Sequence, residues 1–552
     1  MAKNNEEEIF KNVISHAKEY GFVFQSSEIY DGLSAVYDYG QLGAELKNNI
    51  KTYWWKAMVQ MHENIVGIDS AIFMHPKVWK ASGHVDGFSD PMIDNKDSNK
   101  RYRADQLLED KIEQYYNDAI RIGIDERKIQ FPDEPELVPT LIDLNHIRNK
   151  IKEGDPIDLS KFSDLVQYEY NSITKSDDYN KAISLQIEMD NALKAEDLPR
   201  LKALIEEHKI QCPISKTSNW TDVRQFNLMF STQFGAMAEG AEEVYLRPET
   251  AQGIFVNFLN VQKSGRMKIP FGIAQIGKAF RNEVIARQFI MRMREFEQME
   301  MQFFVRPGTE MEWYNKWKET RLKWHLALGT NPAKYKYHDH AKLAHYANAA
   351  VDIEYEFPFG FKEVEGIHSR TDFDLSQHQE HSRKKMQYFD PEVDPQTGKP
   401  YGNYIPYVIE TSIGLDRFFL VTLINSFEEE DLSTEEKQDS RSVLKLHPAL
   451  APYKAAVLPL TKKDGLPEKA REIMDMLKLD FNMAYDEKDA IGKRYRRQDA
   501  IGTPYCITID YDSLADNTVT IRHRDSMAQE RVAIADLPKI IGDLVSWKNL
   551  LS

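Results

Sequence analysis

Cysteine is nearly missing from this 552-residue chain, which holds only Cys212 and Cys506. Two distant thiols give neither a disulfide framework nor a thiolate metal cage, and they fit a reducing, cytoplasmic setting. Long apolar runs are missing as well. No stretch approaches the roughly 18 residues of a bilayer span, so no membrane association is expected. The opening "MAKNNEEEIFKNVISHAKEYGF" has no apolar signal core. Basic excess is the third absence: the net charge is −16, which excludes a nonspecific polyanion binder and confines any nucleic-acid contact to local patches. Internal repeats are absent, and so is low complexity beyond one acidic stretch.

What remains is an ordinary globular composition, 42% hydrophobic, 11% aromatic and 29% charged. The length predicts about two to four domains. Residues 1–25 read as a helix with Ile9, Val13 and Ala17 near one face. Gly32, Gly40 and Gly43 mark turns, after which Leu46, Ile50, Trp54, Ala57 and Met61 recur at helical spacing. That stripe is either core or a subunit interface. From 106 to 212 the chain turns polar, Lys/Glu-rich and helical, broken by Pro132, Pro135 and Pro139. It reads as an insertion that separates a first sheet-domain segment, 1–105, from a second, 213–440. Residues 426–442 form an acidic linker, and 447–552 alternate strand, helix and strand as a compact α/β domain.

The stretch "FRNEVIARQFIMRMREFEQMEMQFF" (280–304) carries the chemistry. Strand alternation sends Glu297, Met299, Met301, Phe303 and Val305 to one face, mostly apolar. Arg292, Arg294, Phe296, Gln298, Glu300 and Gln302 take the other. Arg281 and Glu283 share a face of the preceding strand, and "VIARQFIM" connects the two. A solvated charged hairpin would explain this pattern. A nucleotide site explains it too, with a ring stacked on Phe296, phosphates in arginine forks and a cation met by Glu300.

"FRNE", a loop and Arg292-x-x-x-Phe296 resemble the second signature motif of the class II aminoacyl-tRNA synthetases, and "PYVIETSIGLDRFF" resembles their third. "LRPETAQGIFVNF", "SGHVDGFSDPM", "RYRADQL" and "EGIHSRTDFDL" are similar to the single-polypeptide, glycine-specific branch. The resemblance implies an α/β (α+β) chain: an antiparallel class II sheet flanked by helices, a helical insertion and a C-terminal α/β anticodon-binding domain. It implies ligation of glycine to tRNA(Gly) with ATP and Mg2+ by a homodimer, in which the segment 1–105 carries the first motif.

By the same resemblance Arg281 is catalytic, neutralising the carboxylate and α-phosphate as they meet. ATP falls to Arg281, Asn282, Glu283, Met291, Arg292, Phe296, Glu363, Val364, Gly414 and Arg417, and glycine to Arg103, Glu249, Gln298, Glu300, Arg370, Glu410 and Ser412. Magnesium falls to Glu363 and Glu410. Gln41 in "YGQLG" and Thr411 beside Glu410 depart from the family's usual prolines, and "DNKDSNKRYRAD" lacks the cysteines some relatives carry, so no zinc is expected. In "GKRYRRQD", Lys493, Arg494, Arg496 and Arg497 surround Tyr495, which suits tRNA backbone contact with base stacking; a solvated helix face is the plainer reading. Another small amino acid, or a noncatalytic accessory role, would each account for part of the pattern. The acidic pocket argues against the first, and retention of Arg281, Arg292 and Arg417 against the second.

Overall fold

Alternating apolar residues at 299–305 make a strand whose two faces differ, and that strand is the middle of the principal sheet. The computed structural model describes residues 2–132, 144, 147–148, 150–151, 157–235, 242–283, 288–340, 343–344, 346–433 and 439–551. Part of the predicted connection (284–287), Pro135, Pro139 and positions 434–438 lie outside them.

The sheet has seven strands: β1 (Ile65–Gly67), β2 (Phe271–Phe280), β3 (Glu295–Val305), β4 (Tyr335–Asp339), β5 (Ala349–Phe357), β6 (Gly360–Thr371) and β7 (Tyr407–Gly414). Their spatial order is β4-β5-β6-β7-β3-β2-β1, antiparallel throughout except for β1 beside β2. Met299, Met301, Phe303, Val351, Ile353, Ile367, Ile409 and Ile413 cover one face. Against it pack α1 (Ala2–Glu19), α2 (Gln41–Trp55), α3 (Glu310–Leu326) and α4 (Leu415–Ser426). Each fully buried side chain of this kind contributes roughly 1.5–3 kcal/mol relative to exposure. One buried ionic group crosses this core: Glu365 of β6 accepts from Arg321 at 2.5 Å and pairs with His325 at 2.8 Å, tying α3 to the sheet.

The helical stripe of α2 is core. Leu46, Ile50, Tyr53, Trp54 and Met58 are all fully buried. A π-helical turn at Lys56–Gln60 shifts the register, so Met58 continues the stripe and Met61 emerges 59% exposed. Of the three glycines read as turns, Gly32 sits at φ +75, where the left-handed region favours glycine. Gly43 instead lies inside α2, where a Cβ would stand 1.8 Å from the Phe22 carbonyl oxygen. Its missing side chain lets the helix close on the strand before it.

Residues 87–228 form a separate compact unit. Strands at 100–103, 89–95 and 224–227 pair in that order, and helices Ala104–Gln130, Asp164–Lys175, Asp177–Lys194 and Leu198–Glu207 pack around Leu108, Ile112, Val166, Leu185 and Leu204. Buried Glu169 pairs with Arg127 at 2.7 Å and Arg148 at 2.6 Å. The 106–212 boundaries contain the helices but leave out the short strands, whose polar sequences carry no clear alternation.

The C-terminal region has a five-stranded sheet in the order 483–485, 455–459, 505–509, 518–523, 529–533. The acidic stretch before it is no linker: Phe427–Asp431 pairs with Ser440–Leu444 as an antiparallel hairpin. Composition misled because the acids are paired. Glu428 and Glu430 hold Lys445, and Glu430 also holds Arg441 at 2.6 Å. Arg441, 3% exposed, reaches on to Asp499 at 2.8 Å and the Arg524 carbonyl at 3.1 Å. The chain then returns to the main core, where Leu446, Leu450 and Leu550 are buried and Trp547 stacks on Tyr53.

Asp499→Ala leaves Arg441 and Arg522 buried without their shared carboxylate. The expected loss is about 3–5 kcal/mol in urea unfolding followed by tryptophan fluorescence. Truncation after Lys445 should give no cooperatively folded product; a soluble truncated chain with a sharp unfolding transition would contradict this packing.

Candidate active site

Register, not sequence proximity, assembles the polar face. On β3, Gln298 stands opposite Gly277 and Gly414, Glu300 opposite Gln275 and Ser412, and Gln302 opposite Ile273 and Glu410. One strand further, β6 places Gly366 opposite Ser412 and His368 opposite Glu410. These rows floor a cleft of about 230 Å³ that also takes in Glu249, Arg281, Glu283, Met291, Arg292, Phe296, Tyr346, Glu363, Arg370 and Arg417.

At one end the groups are buried and charged. Glu410 accepts from Arg370 at 3.1 Å, from Gln302 at 2.7 Å and pairs with His368 Nδ1 at 2.8 Å. Asp374 grips Arg370 from behind at 2.8 and 3.0 Å. Burial opposes ionisation of Glu410, but Arg370 and His368 outweigh it and hold the carboxyl well below the usual range. Burial likewise opposes ionisation of Glu249, which His84 at 3.5 Å and Arg370 bring down to about 2. Glu300 behaves oppositely. Burial first, then the charges of Glu410 and Glu249, push its carboxyl well above the ordinary range, and its partners are the Thr250 hydroxyl and the Gln302 amide. The pocket thus holds two carboxyls biased toward ionisation, one biased toward its protonated form and one guanidinium, a field suited to a small zwitterion.

The other end is arginine-rich and more open. Arg281 lies over the Phe296 ring, 5.4 Å from its centroid, and its Nε donates to the Pro248 carbonyl at 3.1 Å. Arg417, at the start of α4, donates to the Glu363 carboxylate at 2.9 Å and to its carbonyl at 3.0 Å. Arg292 comes within 4.0 Å of Glu283 with 47% of its side chain exposed. Such half-committed guanidinia suit a polyphosphate.

Fourteen of the sequence-predicted residues therefore meet in this cleft: Glu249, Arg281, Glu283, Met291, Arg292, Phe296, Gln298, Glu300, Glu363, Arg370, Glu410, Ser412, Gly414 and Arg417. Others go elsewhere. Val364, two residues from Gly366, is turned by a register shift in the β5–β6 pairing into the core, where it is fully buried. Asn282 is not among the residues lining the cleft. Arg103 belongs to the 87–228 unit and pairs with Asp90 at 3.2 Å and Asp105 at 2.5 Å. Arg294 precedes the strand, so alternation does not govern it; its Nε binds the Glu283 carbonyl and its backbone N–H the Ala35 carbonyl. Glu297 turns to α2, pairing with Lys47 at 2.7 Å and Lys51 at 2.6 Å.

The basic helix of the C-terminal domain is largely committed internally. Arg494, 1% exposed, donates to the carbonyls of Pro459, Leu460 and Asp486, so it is structural rather than a nucleic-acid contact. Arg496 pairs with Asp439, and Arg497 with Asp486 and Asp489. Lys493 is exposed. Sequence reasoning missed Tyr346, Asp374 and His368. His368 was within reach of it, because it stands two residues from Arg370 on one strand and shares its face.

Glu300→Gln gives a test with a definite sign. A group whose native pKa is raised favours folding below its unfolded value, ordinarily 4.5, and that contribution is lost as pH rises through the native value. The glutamine variant stays neutral, so it should melt above wild type at pH 7, with the gain shrinking toward pH 4.5. An arriving ammonium favours ionised Glu300, so wild type should release a proton on binding glycine, as read by calorimetry in two buffers. The variant should release less and bind more weakly. A variant less stable than wild type by the same margin at both pH values would overturn the assignment.

Comparison with known proteins places these features in a family. Residues 230–426 match the tRNA synthetase class II core domain (G, H, P, S and T), residues 454–544 the anticodon binding domain, and residues 90–137 and 143–228 the glycyl-tRNA synthetase insertion domain 1. The insertion is thus closer to the family than its polar composition implied. The chain is 47% identical to a glycine–tRNA ligase of Chlorobaculum tepidum over 94% of its length and 96% of the relative's. It is 46% identical to that of Staphylococcus haemolyticus over 97% and 99%. A crystal structure of prolyl-tRNA synthetase from Cryptosporidium parvum shares the fold at a TM-score of 0.52 and 11% identity, covering 98% of this chain and 78% of the other. Insertion, core and anticodon domain in this order along the chain, at that identity over nearly full length, show that the chain belongs to the glycine–tRNA ligases of the class II aminoacyl-tRNA synthetases.

Proposed function

We propose that this cleft condenses glycine with ATP and that the product, glycyl-adenylate, charges the 3′ end of tRNA(Gly). The observation that carries the reading is the register that sets Glu300 beside Ser412 and Gln302 beside Glu410 at one end of a cleft that Arg370, Arg281 and Arg417 also line. The glycine carboxylate attacks the α-phosphorus, the bond to the bridging oxygen breaks, and pyrophosphate leaves. Arg281, over Phe296 at the arginine-rich end, is assigned the negative charge that accumulates around the α-phosphate in the transition state. Arg292 and Arg417 receive the distal phosphates, Phe296 offers a ring for the adenine, and Glu283 an acceptor for its amino group. Met291 and Gly414 border the same space.

Glycine has no side chain to recognise, so selection works by exclusion. Glu249, Glu300 and Glu410 meet the ammonium while Ser412 and Gln298 occupy the volume a methyl would need. Magnesium fits Glu363, a carboxylate 47% exposed at the phosphate end with Arg417 as its partner. Glu410 fits poorly, since Arg370, His368 and Gln302 already take its oxygens. When bound, magnesium neutralises charge on the polyphosphate.

For tRNA, Lys493 and the outward sides of Arg496 and Arg497 are the remaining candidates on the basic helix. A homodimer is supported by Ile29, Tyr30 and Leu33, which are 88%, 80% and 53% exposed on one short turn. Two free, buried cysteines support a reducing, cytoplasmic setting. Among the described residues, no helix is long and apolar enough to cross a membrane.

ATP–pyrophosphate exchange with each standard amino acid tests the reading, glycine being expected as the substrate. Arg281→Ala should lower the glycine rate by about 2–4 kcal/mol of transition-state stabilisation, on the order of 30- to 1,000-fold. A rate within about threefold of wild type would remove Arg281 from its assigned role. Ser412→Gly should raise the alanine-to-glycine exchange ratio, bounded by the roughly 1–3 kcal/mol that one methylene is worth.

A further inference from the structure

The polar face of the sheet does not end at the cleft. Beyond Glu410 and Ser412 the same rows run on across β6 and β5 to the last strand, β4. His368 stands opposite Ala350, and Asp352 stands opposite Gly366 on one side and His338 on the other. His340 follows directly, its backbone N–H donating to the Ala350 carbonyl. His340, Asp352 and His368 thereby converge from three adjacent segments. Each offers a ligand atom within 4.8 Å of the others, and His340 Nε2 already stands 2.9 Å from Asp352 Oδ2.

We infer that His340, Asp352 and His368 form a binding site for a divalent transition-metal ion, zinc foremost, distinct from the magnesium site at Glu363. Two imidazoles and one carboxylate with an open fourth position is a donor set that suits zinc. The setting is built for it in two further respects. His368 Nδ1 is held by Glu410 at 2.8 Å, which leaves Nε2 for an ion and reproduces the carboxylate–histidine–metal arrangement that fixes a ligating ring. The positions between the ligands are small: Ala350 separates the two histidines along their row, and a Cβ on Gly366 would come within 2.9 Å of His368 Cε1 and 3.5 Å of Asp352 Oδ1. The side chains of His340, Asp352 and His368 are 34%, 17% and 19% exposed, so an ion can enter from solvent. The expectation of no zinc rested on missing cysteines in the other unit and did not weigh these residues. An ion here would hold the His368 proton on Nδ1, facing the carboxylate that anchors Arg370.

The test is metal retention, read without turnover. Full-length protein is stripped with chelator, equilibrated with a low, buffered concentration of free zinc in millimolar magnesium, and its zinc counted by mass spectrometry of the digested sample. Wild type should retain about one zinc per chain. His340→Ala and Asp352→Asn should retain at least about tenfold less at the same free zinc. His340→Gln keeps a polar contact to Asp352 while removing the imidazole, and should lose zinc equally if it folds as wild type by circular dichroism. Replacing zinc by cobalt should give wild type, but not the variants, the visible absorption of a low-coordinate site. Variants that retain as much zinc as wild type, a wild type that retains none, or full displacement by magnesium would each overturn the proposal.

Discussion

Arg370 is the charge on which the substrate end of the cleft depends. It is 6% exposed and fixed between Asp374 and Glu410, and its field reaches Glu249 as well. Without it, three glutamates around one small space would repel each other and protonate instead of presenting carboxylates. Such a network is a poor source of stability, because desolvating each ion offsets most of the attraction. Its role is geometric. It biases Glu410 and Glu249 toward ionisation at fixed positions, and it leaves Glu300 as the carboxyl biased the other way.

The sheet makes this possible by register. Strands β3, β6 and β7 come from segments separated by more than a hundred residues at the extreme, yet antiparallel pairing lines up Glu300 with Ser412 and Gly366, and Gln302 with Glu410 and His368. A slip of one residue on any strand would send its contribution to the apolar face, where Met301 and Ile413 now sit. The hydrophobic core beneath therefore specifies the polar site above it. Glu365 is the one carboxylate of β6 that faces this core, and it is answered there by Arg321 and His325.

How much of this was legible in the sequence follows from the range of each signal. Period-two alternation is local, so the split of Met299, Met301 and Phe303 from Gln298, Glu300 and Gln302 could be read directly. Motif resemblance carried the arginines and glutamates of the cleft, since spacing survives where composition does not. Pairing across the chain could not be read. The acids at 428–430 looked like a solvated linker until their partners Arg441 and Lys445 folded opposite them. Arg494 looked like an anion contact because its burial depends on carbonyls thirty residues away. Val364 was carried by resemblance, and the register shift between β5 and β6 that turns it into the core leaves no mark in the local sequence.

Lining a pocket with charge has a structural consequence. A pocket for a larger substrate can be lined with apolar groups whose burial stabilises the fold, whereas this one is lined with carboxylates that cost stability when buried. The cost is contained by confining it. Gln302 spans Glu300 and Glu410, donating to both at 2.9 and 2.7 Å, and Thr250 and His84 come in from outside the sheet to reach Glu300 and Glu249. Glu410 has Arg370 against it and Glu249 has His84 within 3.5 Å, whereas Glu300 is met by a hydroxyl and an amide. Glu300 is the carboxyl that burial and its two acidic neighbours bias toward the protonated form.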